Sequence, residues 1–210
     1  MQIGNLKRKS GRFGMNGKHG KMILTIKAMN SELSSLLEAD QQDRADHPPY
    51  GTDAYWELRQ RDRERRQRVQ ELIKADQLHA PEDYYHAAMI FQHGEAVEEI
   101  WQAYQLARQS ADLGHRPGRW LAAAAYDRWL MYQGRLQKYG TQFVPDGRRY
   151  RLWDVEPATT DEQRAEWDVP SLAEQLQRAE ALTRREPMPP MEDTPDWLKA
   201  ALKRWSDASS

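Results

Sequence analysis

The chain has 210 residues, 39% of them hydrophobic and 30% charged, with a net charge of -1. That length can bury a core without staples, and 8 Trp with 9 Tyr supply enough apolar area to exclude wholesale disorder. The lack of cysteine excludes disulfides, thiolate zinc sites and a cysteine nucleophile.

Residues 1–28 form a basic arm: Lys7, Arg8, Lys9, Arg12, Lys18, Lys21 and Lys27 stand there with no acid. The arm reads as a disordered tail or an over-long start, and the net-acidic remainder argues against specific nucleic-acid binding. "MILTI" is shorter than the ~7 to 15 apolar residues of a secretory signal. No run approaches the ~20 needed to span a bilayer, so a cytoplasmic protein without membrane contact is expected.

From Met29 to Ala45, Leu33, Leu36 and Leu37 make a helical stripe, which "DHPPYG" breaks. Thr52 can cap a long second helix whose middle, "RQRDRERRQR", reads as a solvated charged face, or as an arginine surface for an acidic partner. Pro81 with Glu82 and Asp83 opens a third helix that closes at Gly94. "AVEEIWQAYQLARQSADL" and "RWLAAAAYDRWLMYQG" follow, and the short connections favour antiparallel neighbours. Residues 142–153 carry a β-hairpin signal around Asp146-Gly147. Thr160 with Gln163 and Ser171 with Glu174 make capping boxes for two further helices. "EPMPPMEDTP" reads as a linker, and "DWLKAALKRW" as a helix whose tryptophan face either docks or binds a partner. The expected fold is mainly α: packed antiparallel helix hairpins with at most one short β-hairpin. Its organisation is the arm (1–28), a helical domain (29–186), a Pro/Met linker (187–194) and a C-terminal amphipathic helix with its tail (195–210).

Polar groups gather where a solvated surface would be cheaper. Gln92 and His93 end one helix. Asp127 and Arg128 sit inside the very apolar "AAAAYDRWLMY", about 100° apart, so they cannot simply pair with each other. Gln137, Tyr139, Thr141 and Gln142 follow in "GRLQKYGTQF". Two readings stand. In the architectural one, Asp127 accepts backbone N–H groups and Arg128 caps helix-end carbonyls. In the functional one, His93 is a general acid or base, Asp127 orients it and Arg128 holds an anion. His86 and His93 share a helix face, but no HExxH motif or carboxylate cluster goes with them, so no metal is expected. No GxGxxG, GxxxxGK[ST] or GxSxG is present, and no cofactor is implied.

The order "DQQDR" (40–44), "QH" (92–93), "DR" (127–128), "GRLQKYGTQF" (134–143) and "DEQRAEWDVPSLAE" (161–174) resembles a bacterial domain family frequent in actinobacteria. That family carries the pattern DQ-x-DR … QH … DR … G-x-x-Q-x-YGTQ … D-x-x-R-x-x-x-G-L. The resemblance implies a small α-helical protein with no assigned reaction. By position it singles out Asp40, Gln41, Asp43, Arg44, Gln92, His93, Asp127, Arg128, Gln137, Tyr139, Gly140, Thr141, Gln142 and Arg164. The chain departs from the pattern in its arginine-rich helix, in "PDGRRYRLW" and at Val169-Pro170. The reading that results is a binding or interaction module around the QH/DR/YGTQ network, for a small polar ligand or a protein partner, with Arg44, Gln92, Gln137, Tyr139, Thr141 and Gln142 as binding groups. The alternative is an enzyme acting on a small polar or anionic substrate through His93, with Asp127 and Arg128.

Overall fold

The computed structural model describes residues 28–45, 48, 51–192 and 194–207. The basic arm lies outside the described residues apart from Ala28, as does most of "DHPPYG". Eight helices stand among the described residues: α1 (Ser31–Ala45), α2 (Asp53–Lys74), α3 (Pro81–Gln92), α4 (Val97–Asp112), α5 (Pro117–Tyr132), α6 (Asp161–Ala165), α7 (Leu172–Arg185) and α8 (Asp196–Asp207). Strands β1 (Phe143–Pro145) and β2 (Tyr150–Leu152) pair antiparallel, with Phe143 opposite Leu152 and Pro145 opposite Tyr150. The fold is mainly α with one short hairpin, as the sequence pattern predicts.

Local chemistry sets the helix starts. Thr52, Thr160 and Ser171 each accept a backbone N–H through the side-chain oxygen, and Gln163 and Glu174 complete the two capping boxes. The fully buried Asp83 caps α3 by accepting from the N–H groups of His79 and Ala80, both at 2.8 Å. Its other oxygen takes the N–H of Asn30 at 2.7 Å, which ties the entry of α1 to the start of α3.

Helices α3, α4 and α5 pack in sequence, and α1 and α2 cover α3. The main core runs from Leu33 through Val69 and Ile90 to Ala103, Ala107, Leu121 and Ala125. Small residues let α4 and α5 approach closely. A Cβ on Gly118 would stand 2.8 Å from the Ala111 nitrogen and 3.0 Å from the Ala107 oxygen. A second core joins α5, the hairpin and α8 through Met131, Val144, Trp153, Leu198 and Ala201. There Trp197 stacks on Tyr132 at 5.2 Å, and Trp205 donates its indole N–H to Asp154 at 2.8 Å. The tryptophan face of α8 is therefore docked on the body.

The arginine-rich middle of α2 is solvated along one side, where Gln60, Arg61, Arg63, Glu64, Gln67 and Arg68 are exposed, but its other side is buried. Arg65 is 8% exposed, Arg66 4% and Asp62 2%. These side chains face α1 and the α3–α4 corner, where acids receive them. Arg65 reaches Asp43 at 2.7 Å, and Arg66 reaches Glu99 at 2.8 Å.

Candidate functional site

Asp127 lies on the buried side of α5, and the loop that follows the helix folds back over it. Oδ1 accepts from the N–H groups of Lys138 (2.7 Å) and Tyr139 (2.9 Å), while Oδ2 accepts from the Thr141 N–H (3.0 Å) and the Thr141 hydroxyl (2.9 Å). Gly140 permits the bend by adopting φ +85°, a conformation other residues resist. Burial pushes the Asp127 carboxyl up, and the donors of Tyr139, Thr141 and Lys138 pull it only partly back. The Thr141 hydroxyl is the sole one of these partners that could accept a proton, so the surroundings are built for a carboxylate.

Gln137 locks the other edge of this loop. Its side-chain oxygen accepts from the Gln142 N–H at 2.8 Å, and its Nε2 donates to the Trp153 carbonyl at 2.7 Å. The amide thus works as a piece of backbone joining the loop to the end of β2. Arg164 closes the third edge, donating to the carbonyls of Tyr139 (3.0 Å) and Thr159 (2.9 Å) and pairing with Asp161 at 2.9 Å. Asp127, Gln137, Thr141 and Arg164 thus each have a structural partner in this half, although the Arg164 Nη2 is buried without one among the described residues.

Arg128 points elsewhere. Its Nη1 donates to the Gln92 carbonyl at 2.6 Å, at the last turn of α3, and its Nε donates to the Gln142 side-chain oxygen at 3.1 Å. Both acceptors are neutral, and no carboxylate pairs with it among the described residues. Burial and the nearby Arg44 and Arg59 hold its guanidinium below the usual arginine value, only partly relieved by Tyr132. The neighbouring Gln92 side chain is buried, and its Oε1 has no hydrogen-bond partner.

His93 sits at the C-terminal end of α3, with a fifth of its side chain exposed. Asp127 does not orient it, because that carboxylate is taken up by residues 138–141. The carboxylate on its Nδ1 is Asp40 from α1, at 3.1 Å and 1% exposed. Arg44 Nε approaches the same nitrogen at 3.1 Å. Nδ1 cannot serve both at once: donating to Asp40 leaves a lone pair on Nε2, whereas accepting from Arg44 leaves a proton there. Nε2 itself has no partner among the described residues. Burial holds His93 below its ordinary value of 6.5, against the pull of Asp40 and helped by Arg44 and Arg128. Burial works against the Asp40 carboxylate too, but His93, Arg44 and Arg65 together keep it low.

Arg44 also bonds Asp62 at 2.8 Å, and Asp62 takes Arg59 at 3.2 Å and Arg65 at 2.9 Å. The site expected from Arg44, Gln92, His93, Asp127, Arg128, Gln137, Tyr139, Thr141 and Gln142 therefore divides in two. Asp127, Gln137, Thr141 and the Tyr139 backbone form a closed lock. Arg44, His93 and Arg128, with Gln92 and Gln142, form a second group, joined by Asp40, Asp62 and Arg59. Among the described residues no three His, Asp or Glu side chains are grouped to hold a metal ion, and no helix is long and apolar enough to cross a membrane. No family model, curated protein or solved structure matches the chain.

Proposed function

We propose that the chain is a binding module for a small anionic or strongly polar ligand, received where Arg128, His93 and Gln142 meet, with the YGTQ loop as the scaffold that holds them. The observation that carries this reading is Arg128. It is a half-buried guanidinium held by two neutral acceptors, with Arg44 and Arg59 as its charged neighbours. A desolvated cation without a counter-charge is costly, and an anion in reach of it would remove that penalty. With Arg44 donating to Nδ1, His93 offers an Nε2–H donor to the same ligand.

The test is a thermal-shift and calorimetric screen of the full chain against phosphate, sulfate and small mono- and dicarboxylates. An anion that binds should stabilise the chain by ~2.7 kcal/mol at a hundredfold excess over its Kd. Arg128→Met should abolish that shift, and Arg128→Lys should retain part of it. A complete absence of anion-dependent stabilisation, or a shift unchanged in Arg128→Met, refutes the reading.

A second reading rests on the Asp40–His93 pair. A nearly inaccessible carboxylate on Nδ1 with an unpartnered Nε2 is the arrangement a general base requires. It makes the chain an enzyme acting on that same anionic or polar molecule. Chemical change in a bound anion, lost in His93→Gln while binding persists, would select it over simple binding.

A further inference from the structure

Tyr126 and Arg128 lie two positions apart on α5 and so project about 200° from one another. On the Tyr126 side, away from the anion site, a cavity of about 420 Å³ opens between α4, α5 and the YGTQ loop. Its volume lies within the ~300 to 1,000 Å³ common for small-molecule sites. Ala122 and Ala123 line it between larger side chains, and these short residues leave the space free.

The remaining walls are aromatic apart from Arg108 and Lys138. Trp101 and Tyr104 lie 4.9 Å apart, and Tyr104 and Tyr126 5.2 Å apart, in one cluster of rings. Tyr139 and Trp167 contribute two more rings, 6.0 Å apart. The Arg108 guanidinium covers Trp167 at 5.0 Å and is neutralised by Asp112 at 3.0 Å. Lys138 stands over the Tyr139 ring at 5.3 Å and has no carboxylate partner among the described residues.

Tyr139 shows that the cavity is more than a gap in packing. It is 7% exposed and lines the cavity, yet its hydroxyl makes no hydrogen bond among the described residues. Asp127 and Arg164 clamp its backbone from both sides, so the ring is held in place. Burial pushes the hydroxyl up to about 12, with Asp127 and the Tyr104 and Tyr126 phenols adding to the effect, so at neutral pH it is a donor. A fixed phenolic donor and an unpaired ammonium thus meet at aromatic walls, and no acidic side chain lines the cavity.

We propose that this cavity is a second ligand site, taking a planar aromatic ring that bears one anionic group. The ring stacks against the tyrosine and tryptophan walls, and the anion accepts from the Tyr139 hydroxyl and neutralises Lys138. The Asp127 clamp therefore presents both residues to a ligand.

The experiment is titration of the full chain with 2-naphthoate, followed by calorimetry and by tryptophan fluorescence from Trp101 and Trp167. The neutral 2-naphthamide and the non-aromatic cyclohexanecarboxylate are comparators. Saturable one-to-one binding of 2-naphthoate is expected, at least about tenfold tighter than either comparator. Tyr139→Phe removes only an unpartnered hydroxyl and leaves the ring, so the fold should hold. It should weaken 2-naphthoate about tenfold, the loss of one hydrogen bond to a charged group. Lys138→Met should weaken it by a similar factor, and inorganic phosphate, which has no ring to stack, should not displace it. No saturable binding, equal binding of 2-naphthamide, or an affinity unchanged from the parent in either Tyr139→Phe or Lys138→Met would each overturn the proposal.

Discussion

Replacing Asp127 by Asn keeps the shape of the side chain and removes its charge, which makes it the sharpest probe of the lock. The carboxylate faces donors on both oxygens: the N–H groups of Lys138 and Tyr139 on Oδ1, and the N–H and hydroxyl of Thr141 on Oδ2. An asparagine can offer one oxygen and must aim its NH₂ at the other set. With the oxygen in the Oδ1 position, the buried Thr141 N–H meets a second donor, although the Thr141 hydroxyl can turn and accept. With the amide reversed, the Lys138 N–H is orphaned and the Tyr139 N–H keeps only its longer bond, 3.2 Å, to the Oδ2 position. Leaving one buried donor unsatisfied costs ~1 to 3 kcal/mol, and each remaining bond weakens by ~1 kcal/mol as its acceptor loses charge. Relief from burying a carboxylate offsets part of this, so the net loss should be about 3 kcal/mol. That is a large share of the ~5 to 15 kcal/mol by which domains are stable. Urea unfolding with an unchanged m-value measures it directly. A midpoint for Asp127→Asn within ~0.5 kcal/mol of the parent would mean that this carboxylate does not hold the loop.

The Asp40–His93 pair should leave a mark on the pH dependence of stability. Because the folded-state value of His93 lies below 6.5, the unfolded chain binds the extra proton first. The parent should therefore be stable above that pH and lose stability as pH falls through 6.5 towards the lower folded value. His86 is lowered by burial as well, so the signal is the difference between parent and His93→Gln, which should flatten in that window. Identical pH profiles would refute the burial of His93. At the α4–α5 crossing, Gly118→Ala gains up to ~1 kcal/mol of helix propensity but places a methyl against backbone atoms of α4. Overpacking of that kind costs ~1 to 3 kcal/mol, so a net loss in thermal or urea unfolding is expected, and a gain would show that the helices separate freely.

The fold was legible wherever local chemistry carries it. Capping residues, the Pro81 start, the Asp146-Gly147 turn and the apolar stripes place every helix and the hairpin. The polar centre was half legible. A charge amid "AAAAYDRWLMY" has to find partners, and burial leaves both His93 and the "YGTQ" groups as candidates; the structure selects the loop, with Thr141 among its donors. The orienting carboxylate of His93 was harder, because Asp40 comes from a helix 53 positions away in sequence and nothing local connects them. The arginine-rich helix is solvated along one side as its composition suggests, but a run of charge resembles a solvated face at every position and hides the buried side of Asp62, Arg65 and Arg66. Its spacing nevertheless held the answer. Leu58, Asp62, Arg65, Val69 and Leu72 follow one another at three- and four-residue steps, so the apolar members place Asp62 and Arg65 on the buried face between them. The aromatic cavity had no comparable signal, since tyrosine and tryptophan at helical spacing look the same whether they fill a core or line a space.

Three consecutive residues of α5 organise the polar centre. Tyr126, Asp127 and Arg128 point about 100° apart in turn, so one helix presents an aromatic wall, a clamp and a cation to three separate environments. The clamp lies between the other two in direction and in chemistry. By fixing residues 138–141 it sets Lys138 and Tyr139 at the aromatic cavity, and by fixing the course of the loop it brings the Gln142 amide against Arg128. A solvated connection could have closed the same turn with fewer polar side chains. The density of amides and hydroxyls in "GRLQKYGTQF" makes physical sense if the loop must be rigid on two sides at once. A segment that orders its own backbone through Asp127, Gln137 and Arg164 can hold exposed groups in place before any ligand arrives, which lowers the ordering penalty of binding.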